Sequence, residues 1–308
     1  MYKKLILLAA AFVLASNVSI QARALDWGSS VNAQGFQQDG VTPLNDAFVF
    51  YLGVFANGFT PTNANVDDWA ANWTTVDAVN YNPAYKVFNA RHTTSATDPA
   101  AGTQGYIWGI RRDKALNEWI LITDSTWLWP ENSLFGLKET WTVRMASEAI
   151  VGSINDSNYQ MMTQNVGDAP LPSIDYAIWA KRFFADGDPN ADSEADPDSN
   201  GLANMAEFAL DGDPVGQGRE SNIESGVFEV VEPLQPQESE GQRYLAVIVK
   251  PSVDASVNIS GTLATDPGFS ENVEAAVVEQ LEDGSLMVRD PTPVDDMTQQ
   301  KFLRVQFD

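Results

Sequence analysis

The pattern of hydrophobic and polar positions predicts mainly β-structure in the first half of the chain. Residues 48–55 are apolar at both alternating sets of positions, which is typical of a strand that is buried on both faces. Further runs with strand character lie at 85–93, 105–112, 118–123 and 140–145, and clusters of Gly, Asn, Asp and Pro separate them. Short strands divided by turn signals favour a β-sandwich, which we place at residues 25–170.

One short helix interrupts these predicted strands. Asn65 is in position to cap it, and apolar residues then recur at helical spacing. These residues are Val66, Trp69, Ala70, Trp73 and Val76. The spacing predicts that the two tryptophans pack inward from one face of the helix.

Residues 171–214 have a different pattern, which predicts a helix, an acidic loop and a second helix. Ser173 is a suitable N-cap for the first helix, which is apolar on most of its surface and has basic residues in its last turn. The second helix is predicted over residues 202–210, because Gly212 and Pro214 mark its end.

Residues 215–222 are predicted to form a linker, and residues 223–308 return to a β pattern. Strands are predicted there at 227–231, 244–249, 256–261, 273–279, 285–289 and 302–307. A hairpin is expected where Asp283 and Gly284 lie between apolar runs. This density of short strands favours a small sandwich of immunoglobulin or fibronectin type.

Residues 1–24 have the pattern of a cleavable export signal. Lys3 and Lys4 precede an apolar run that is short for a membrane span, since a spanning helix needs about 20 apolar residues. Small residues follow this run, and we predict cleavage between Ala24 and Leu25. The expected product is secreted or displayed at the cell surface, with no membrane insertion after cleavage. A retained membrane anchor is the alternative interpretation.

Composition then removes several classes of function. The chain has 18 basic and 42 acidic residues, a net charge of -24, one histidine and no cysteine. Nucleic acid is not an expected partner, because phosphate binding needs clustered Lys and Arg. Disulfides and thiolate sites need cysteine, and multi-histidine metal centres or histidine-paired hydrolases need more than His92 offers. An exported chain without disulfides must be stabilised by its core or by bound ions.

A calcium-binding loop is the motif with the greatest chemical specificity in this sequence. Residues 196–207 match the pattern D-x-D-x-[DN]-G-x5-E at every prescribed position. The predicted ligands are Asp196, Asp198, Asn200, the backbone carbonyl of Leu202, Asn204 and Glu207. Oxygen atoms at this spacing surround a hard cation, and Gly201 allows the sharp turn. A solvated acidic turn before the next helix is the alternative interpretation.

The loop departs from an EF-hand in two respects. No helix leads directly into it, because residues 186–195 intervene. Ala203 stands at the position that is usually bulky and apolar for pairing with a second loop. The sequence therefore predicts an EF-hand-like structural site with only the exiting helix adjacent, rather than a calcium-driven switch.

A second cation site is a further hypothesis for the same region. Its candidate ligands are Asp186, Asp188, Asn190, Asp192, Asp211 and Asp213. The first four alternate along the chain as ligands do, but no Glu occupies the closing position. The last two follow the second predicted helix, where the helix dipole disfavours negative charge unless a cation is near. The alternative is a solvated acidic loop.

The stretch that begins at Asp196 reads DPDSNGLANMAEFALDGDP. It resembles the DPDxDGxxNxxE(Y/F)ALGxDP segment of uncharacterised secreted proteins from aquatic bacteria. Blocks similar to others in that group lie at 55–61, 69–73, 106–109, 127–130 and 301–305. The loop is also similar to dockerin and thrombospondin type 3 loops.

This resemblance implies a secreted, calcium-stabilised, modular surface protein with a Trp-rich β domain. Two positions depart from the group's pattern, because Asn200 replaces the usual Asp and Asp211 replaces the usual Gly. The first change should weaken the negative charge around the ion slightly without removing a ligand.

Aromatic residues give a second binding hypothesis. Seven of the nine tryptophans lie between Trp69 and Trp141, and planar rings on a β-sandwich can stack on sugars. Most of these rings are expected to pack in the core or between domains. Trp127 and Trp129, beside Pro130 in a predicted turn, are the expected exposed rings and the candidate glycan-binding residues.

The basic residues give weaker evidence for a binding site than the aromatic residues do. Residues 111–114 (Arg-Arg-Asp-Lys) are predicted to form a hairpin turn, with docking to an anionic glycan as the alternative. His92 follows Arg91 near a strand end, and with no partner pattern around it we expect a structural role.

Three functions are compatible with these features. The first is a secreted, noncatalytic, calcium-stabilised surface or extracellular-matrix protein. The second is a carbohydrate-binding or adhesion module that contacts cell-surface or extracellular polysaccharide through Trp127 and Trp129. The third is a polysaccharide hydrolase, since glycosidase chemistry needs two carboxylates about 5–10 Å apart in a cleft. No segment of the sequence places such a pair.

Overall fold

A computed structural model describes residues 23–30, 33–113, 117–131, 138–155, 160–199, 202–210, 212–216, 236–239, 242–249, 258–265, 273–280, 285–293 and 302–307. Within these residues the protein is mainly β, as the sequence pattern predicts. None of their helices combines the length and the apolar character that crossing a membrane requires.

The strands that precede the helical segment are β1 (Ala24–Gly28), β2 (Gly35–Phe36), β3 (Phe48–Phe55), β4 (Trp73–Asn80), β5 (Asn89–Thr93), β6 (Gly105–Arg111), β7 (Glu118–Thr123), β8 (Glu139–Thr142), β9 (Glu148–Val151), β10 (Ser153–Asn155), β11 (Gln160–Met162) and β12 (Gln164–Asn165). Those that follow it are β13 (Pro236–Ser239), β14 (Gln242–Val249), β15 (Ile259–Ala264), β16 (Glu274–Ala275), β17 (Val277–Gln280), β18 (Leu286–Pro293) and β19 (Phe302–Phe307). The α-helices are α1 (Trp69–Asn72), α2 (Tyr176–Ala180) and α3 (Asn204–Leu210). Short 3-10 helices lie at Val66–Asp68, Val143–Met145 and Pro189–Ala191.

A six-stranded sheet forms the centre of the first part of the protein. Its strands follow the order β12-β7-β6-β3-β4, and β9 pairs with β7 as well. β3 lies between β6 and β4, and every one of its residues is buried. This confirms the prediction of a strand buried on both faces at residues 48–55.

The first face of this sheet packs against two smaller sheets. Their strand orders are β5-β1-β8 and β10-β11-β2. Phe50, Ile107 and Ile120 of the six-stranded sheet share a hydrophobic core with Trp27 and Met161 of the smaller sheets. We call this cluster the first core.

The opposite face of the sheet packs against the helical segment. Tyr51, Trp108 and Leu121 share a second core with Trp179 of α2 and Phe208 of α3. Because α2 and α3 cover this face, β3 is enclosed on both sides. The helical segment therefore shares its core with the β-strands that precede it.

The segment around Trp69 is only partly helical, and here the sequence-based prediction is wrong. The helix consists of a 3-10 turn followed by α1, and it ends at Asn72. Trp73 begins β4, which pairs with β3, and the β-branched residues 74–76 favour this extended conformation. Asn65 makes no side-chain cap; its Oδ1 accepts a hydrogen bond from Trp69 Nε1 at 2.9 Å.

The helical segment also differs from the prediction at its start. The N-cap of α2 is Asp175, whose carboxylate accepts a hydrogen bond from the backbone N–H of Ile178 at 2.8 Å. The prediction of Ser173 as this cap is wrong. α3 begins at Asn204, two residues later than the predicted boundary.

Two further sheets follow the helical segment. Their strand orders are β13-β14-β18-β17 and β16-β15-β19. β17 and β18 pair antiparallel from Gln280 and Leu286 onward, which confirms the predicted hairpin, although residues 281–284 lie outside the described residues. The predicted strand at 227–231 also lies outside them. Leu210 of α3 packs in a third core with Val288 of β18.

Most of the predicted export signal lies outside the described residues, but Arg23 and Ala24 are part of the fold. The backbone N–H of Arg23 donates to Thr94 Oγ1 at 2.7 Å, and its guanidinium donates to Glu139 Oε1 at 2.8 Å. The cleavage site after Ala24 stays a prediction. Cleavage there would remove the first residue of β1 and this ion pair.

Candidate metal centre

The predicted calcium ligands differ widely in burial. Asn204 and Glu207 are 0% and 1% exposed, because both lie on the face of α3 that is turned into the protein. Asp196 is exposed, whereas Asp198 and Leu202 are half-buried. Asn200, Gly201 and Asp211 lie outside the described residues.

The side-chain amide of Asn204 joins the start of α3 to the acidic loop before it. Its Nδ2 donates to the carbonyl oxygen of Asn190 at 2.6 Å and to that of Asp192 at 2.7 Å. Two carbonyl acceptors fix the orientation of the amide, because only the NH₂ group can donate to them. Oδ1 is thereby directed away from these carbonyls, and it has no hydrogen-bond partner among the described residues.

The carboxylate of Glu207 lies against the backbone that follows α3. The N–H of Gly212 donates to the carbonyl oxygen of Glu207 at 2.7 Å. A Cβ atom at Gly212 would lie 1.7 Å from Glu207 Oε2, so this position has room only for glycine. A carboxylate at this depth needs compensating hydrogen bonds or a cation, because burial of a charge is costly.

The acidic loop uses its described carboxylates mainly for its own turns. Asp188 Oδ1 accepts from the backbone N–H of Asn190, and Asp192 Oδ1 accepts from that of Glu194, both at 2.9 Å. The hydroxyl of Tyr176 donates to the carbonyl of Ala191 at 2.9 Å, and burial raises the pKa of this hydroxyl. The loop is thus held to α2 as well as to α3.

The residues of the proposed second cation site are spread over different surroundings. Asp186 lines a cavity of about 220 Å³ together with His92. Asp213 is buried and lines a separate cavity of about 450 Å³ together with Asp46 and Arg182. Among the residues that the structure describes, no three acidic or histidine side chains form a group that could hold a metal ion.

Trp127 and Trp129 are 0% and 2% exposed, so the prediction that these rings are exposed is wrong. Their segment pairs with the chain before β6, since the N–H of Gly105 donates to Trp127 O and that of Trp129 donates to Thr103 O. Alternate residues of an extended segment face the same side, and both indoles therefore pack on Trp141. They offer no accessible face to a sugar.

Arg111 and Arg112, the described basic residues of the cluster at the end of β6, are largely buried. Arg111 donates to both oxygens of Asp113, at 2.7 and 2.9 Å, and its Nη1 lies 3.5 Å from Glu118 Oε1. These contacts raise the pKa of the Arg111 guanidinium, with the hydrogen bonds that it donates to Asp113 as the largest cause. Arg112 is buried. β6 and β7 pair antiparallel, as in the predicted hairpin, although residues 114–116 between them lie outside the described residues.

Sequence reasoning missed a buried polar cluster around the single histidine. Nε2 of His92 lies 2.7 Å from Asp98 Oδ2, and both side chains are almost fully buried. Nearby, Trp27 Nε1 donates to Asp77 Oδ2 at 2.9 Å. The six-residue separation of His92 and Asp98 was the available signal, but only the turn after β5 brings the two together.

Comparison with family models, with curated proteins and with solved structures gave no match.

Proposed function

We propose that this chain is a secreted, noncatalytic surface or extracellular-matrix protein whose helical segment is stabilised by a calcium ion. The observation that carries the proposal is the Oδ1 atom of Asn204, which is fully buried and has no hydrogen-bond partner among the described residues. An amide oxygen in this condition is costly unless it meets a donor or a cation. Asn204 occupies the ninth position of the calcium-loop pattern.

The donor set fits a hard cation. Its members are the side-chain oxygens of Asp196, Asp198, Asn200, Asn204 and Glu207 and the backbone carbonyl of Leu202. When bound, the ion would supply positive charge that offsets three carboxylates, one of which is buried. Carboxylates of like charge repel one another, so ion binding and closure of the loop are expected to be coupled.

The finer description of the fold belongs to the same proposal. We take residues 25–170 to be a β-sandwich and residues 223–308 to be a second, small sandwich, joined through the calcium segment at 171–214 and the linker at 215–222. The packing of two small sheets on one face of the six-stranded sheet supports the first part. Export is supported by the signal pattern of residues 1–24, and the absence of cysteine leaves an ion to take the role that disulfides have in many exported proteins.

Glycan binding remains a separate hypothesis without assigned residues. Its two candidate rings, Trp127 and Trp129, pack in the first core.

The test is thermal unfolding of the protein with calcium and with a chelator. Calcium should raise the melting temperature, because a ligand that binds only the folded state stabilises it by about 2.7 kcal/mol at a hundred times its dissociation constant. Glu207→Gln and Asp196→Asn should remove most of this rise. Glu194→Gln is the matched control, since it neutralises an exposed acid of the neighbouring loop that is a candidate ligand of neither cation site.

Two results would contradict the proposal. One is a melting temperature of the unmodified protein that is the same with calcium and with chelator. The other is an undiminished calcium effect in both Glu207→Gln and Asp196→Asn.

A further inference from the structure

The acidic loop (residues 186–195) contacts the start of α3 through its backbone carbonyl groups. The N–H of Asn204 donates to Ala195 O at 2.8 Å, and the N–H of Met205 donates to Ser193 O at 3.0 Å. The first N–H groups of a helix have no partner within the helix, so the loop supplies acceptors that α3 itself lacks. The start of α3 and the conformation of the loop therefore depend on each other.

The side chain of Asn204 adds two more bonds to the same loop. Its Nδ2 donates to Asn190 O at 2.6 Å and to Asp192 O at 2.7 Å, so both hydrogens of the NH₂ group are used. The residue is fully buried, and its Oδ1 has no hydrogen-bond partner among the described residues. The two ends of the amide thus have different roles, since Nδ2 holds the loop and Oδ1 is left for a ligand.

Tyr176 of α2 holds the loop at the residue in between. Its hydroxyl donates to Ala191 O at 2.9 Å, between the two carbonyls that accept from Asn204. Its ring is half-buried and packs edge-on against Phe208 of α3, with the ring centroids 5.8 Å apart. The three consecutive carbonyls of residues 190–192 are therefore held by side chains of two different helices.

A carboxylate in place of the Asn204 amide would reverse its interaction with the loop. An ionised carboxylate has no donor, so one of its oxygens would face the carbonyls of Asn190 and Asp192. Their repulsion would be strong in a buried position, because little water screens it. As a calcium ligand alone, however, a carboxylate would serve at least as well as an amide, since it adds negative charge. The two roles of Asn204 therefore predict opposite effects of this change.

We infer that Asn204 couples the calcium ion to the acidic loop, because Oδ1 binds the ion while Nδ2 holds the carbonyls of Asn190 and Asp192. Tyr176 is a positioning residue that acts through the loop. The inference rests on the calcium site proposed above. It gives the loop the role of supporting that site from outside, so that calcium orders the loop although the loop supplies none of the ligands.

The experiment measures calcium affinity by isothermal titration calorimetry in the native protein and in three variants. Asn204→Asp should weaken binding at least about tenfold, although it adds a negative charge, because it replaces two hydrogen bonds by repulsion. Ser199→Asp is the charge-matched control and should bind calcium equally or more tightly. Ser199 is an exposed residue of the calcium loop outside the proposed ligand set, and aspartate tolerates its φ of 62°.

Tyr176→Phe removes one hydroxyl and leaves every proposed ligand in place, so it carries the test if Asn204→Asp does not fold. It should weaken calcium binding about two- to fivefold, as expected for the loss of one hydrogen bond that supports the bound state. A merely structural Tyr176 would lower the melting temperature equally with calcium and with chelator and would leave the affinity unchanged.

Hydrogen exchange followed by mass spectrometry gives the second measurement. Calcium should slow exchange at residues 188–195 of the native protein, and saturating calcium should not do so in Asn204→Asp. Native or tighter affinity in Asn204→Asp, or equal protection of the loop in that variant, would overturn this inference and leave the calcium site standing. Native affinity in Tyr176→Phe would overturn the role of Tyr176. A native protein that binds no calcium would overturn the calcium proposal and the coupling together.

Discussion

The buried carboxylate of Asp77 shows how the surroundings of one residue decide its chemistry. The same side chain on the surface would be an ordinary solvated acid, but here the indole of Trp27 and the sheet enclose it. The alternation of apolar and polar residues in β4 does not show that this aspartate is buried, because an acid between the apolar Val76 and Ala78 would be expected to face solvent. Its hydrogen-bond partner Trp27 lies fifty residues earlier in the chain, which local sequence does not reveal.

Asp77→Asn should change the pH dependence of stability. The pKa of Asp77 in the folded state is raised above its ordinary value of 3.8, so between these values the folded state binds more protons than the unfolded state. The contribution of this carboxyl is most favourable below pH 3.8 and is lost as the pH rises through the raised pKa. The free energy of unfolding of the native protein relative to the asparagine variant should therefore fall over this range, as measured by urea unfolding at several pH values.

Asp39→Asn is the control, because the contribution of Asp39 to the free energy of unfolding should rise with pH, whereas that of Asp77 should fall. Hydrogen bonds from Thr42 and Val41 lower the pKa of the exposed Asp39. Its contribution is present above pH 3.8 and is lost as the pH falls through the lowered pKa. Parallel behaviour of the two variants would contradict this account.

The sequence predicted the burial of single residues correctly where neighbouring positions in the chain determine that burial. It predicted the burial of Trp69 from helical spacing, and that of Trp108 and Trp119 from the strand-like apolar runs in which they lie. It failed for Trp127 and Trp129, because the adjacent proline suggests an open turn. Their burial depends on pairing with the strand that begins at Gly105, which local sequence does not report.

At the scale of elements, continuous apolar runs were predictable and mixed segments were not. β7 and β19 have the bounds that the pattern predicts, since each is bounded by polar or turn residues. The segment after Trp69 matches helical spacing for only a few residues. There the pairing of β4 with β3 outweighs the weak helical preference of the segment. The pairing partner lies eighteen or more residues away in the chain, so the spacing of apolar residues within the segment does not reveal it.

Gly212→Ala should disturb the end of α3. The added methyl group would collide with the carboxylate of Glu207, so this carboxylate must move from its buried position. We expect a lower free energy of unfolding in chelator and a smaller rise of the melting temperature with calcium. Both are measured in the same thermal unfolding experiment.

Gly187→Ala separates this effect from general strain. Gly187 has a φ of 80° and open space around its Cα, so alanine there should cost about 1 kcal/mol through backbone strain alone. In Gly187→Ala, calcium should raise the melting temperature by as much as it does in the native protein. An equal loss of calcium effect in both variants would contradict the role given to Glu207.

At the scale of the whole molecule, α3 contacts both the strands that precede the helical segment and those that follow it. Phe208 packs against Trp179, with ring centroids 5.7 Å apart, and so belongs to the second core. Leu210 belongs to the third core with Val288 of the sheets that follow. An ion bound before α3 would thus act on packing in both directions along the chain.

Leu210→Ala and Phe208→Ala should loosen different parts of the protein. Each removes buried side-chain volume, at a cost of about 2–5 kcal/mol. In hydrogen exchange followed by mass spectrometry, Leu210→Ala should speed exchange mainly in β15, β18 and β19. Phe208→Ala should speed it mainly in α2 and in the strands of the six-stranded sheet. The same exchange pattern in both variants would contradict the assignment of these residues to separate cores.

The second core has an optical consequence. The indoles of Trp69, Trp108 and Trp119 have centroid separations of 5.5, 4.7 and 5.9 Å, and their planes are strongly inclined in two of the three pairs. Transition dipoles at such separations couple, so the circular dichroism of these rings differs from the sum of three isolated indoles. The resulting circular dichroism bands depend on side-chain packing, which is lost before compactness when a protein becomes a molten globule. The core of this protein thus contains its own spectroscopic reporter of tertiary order.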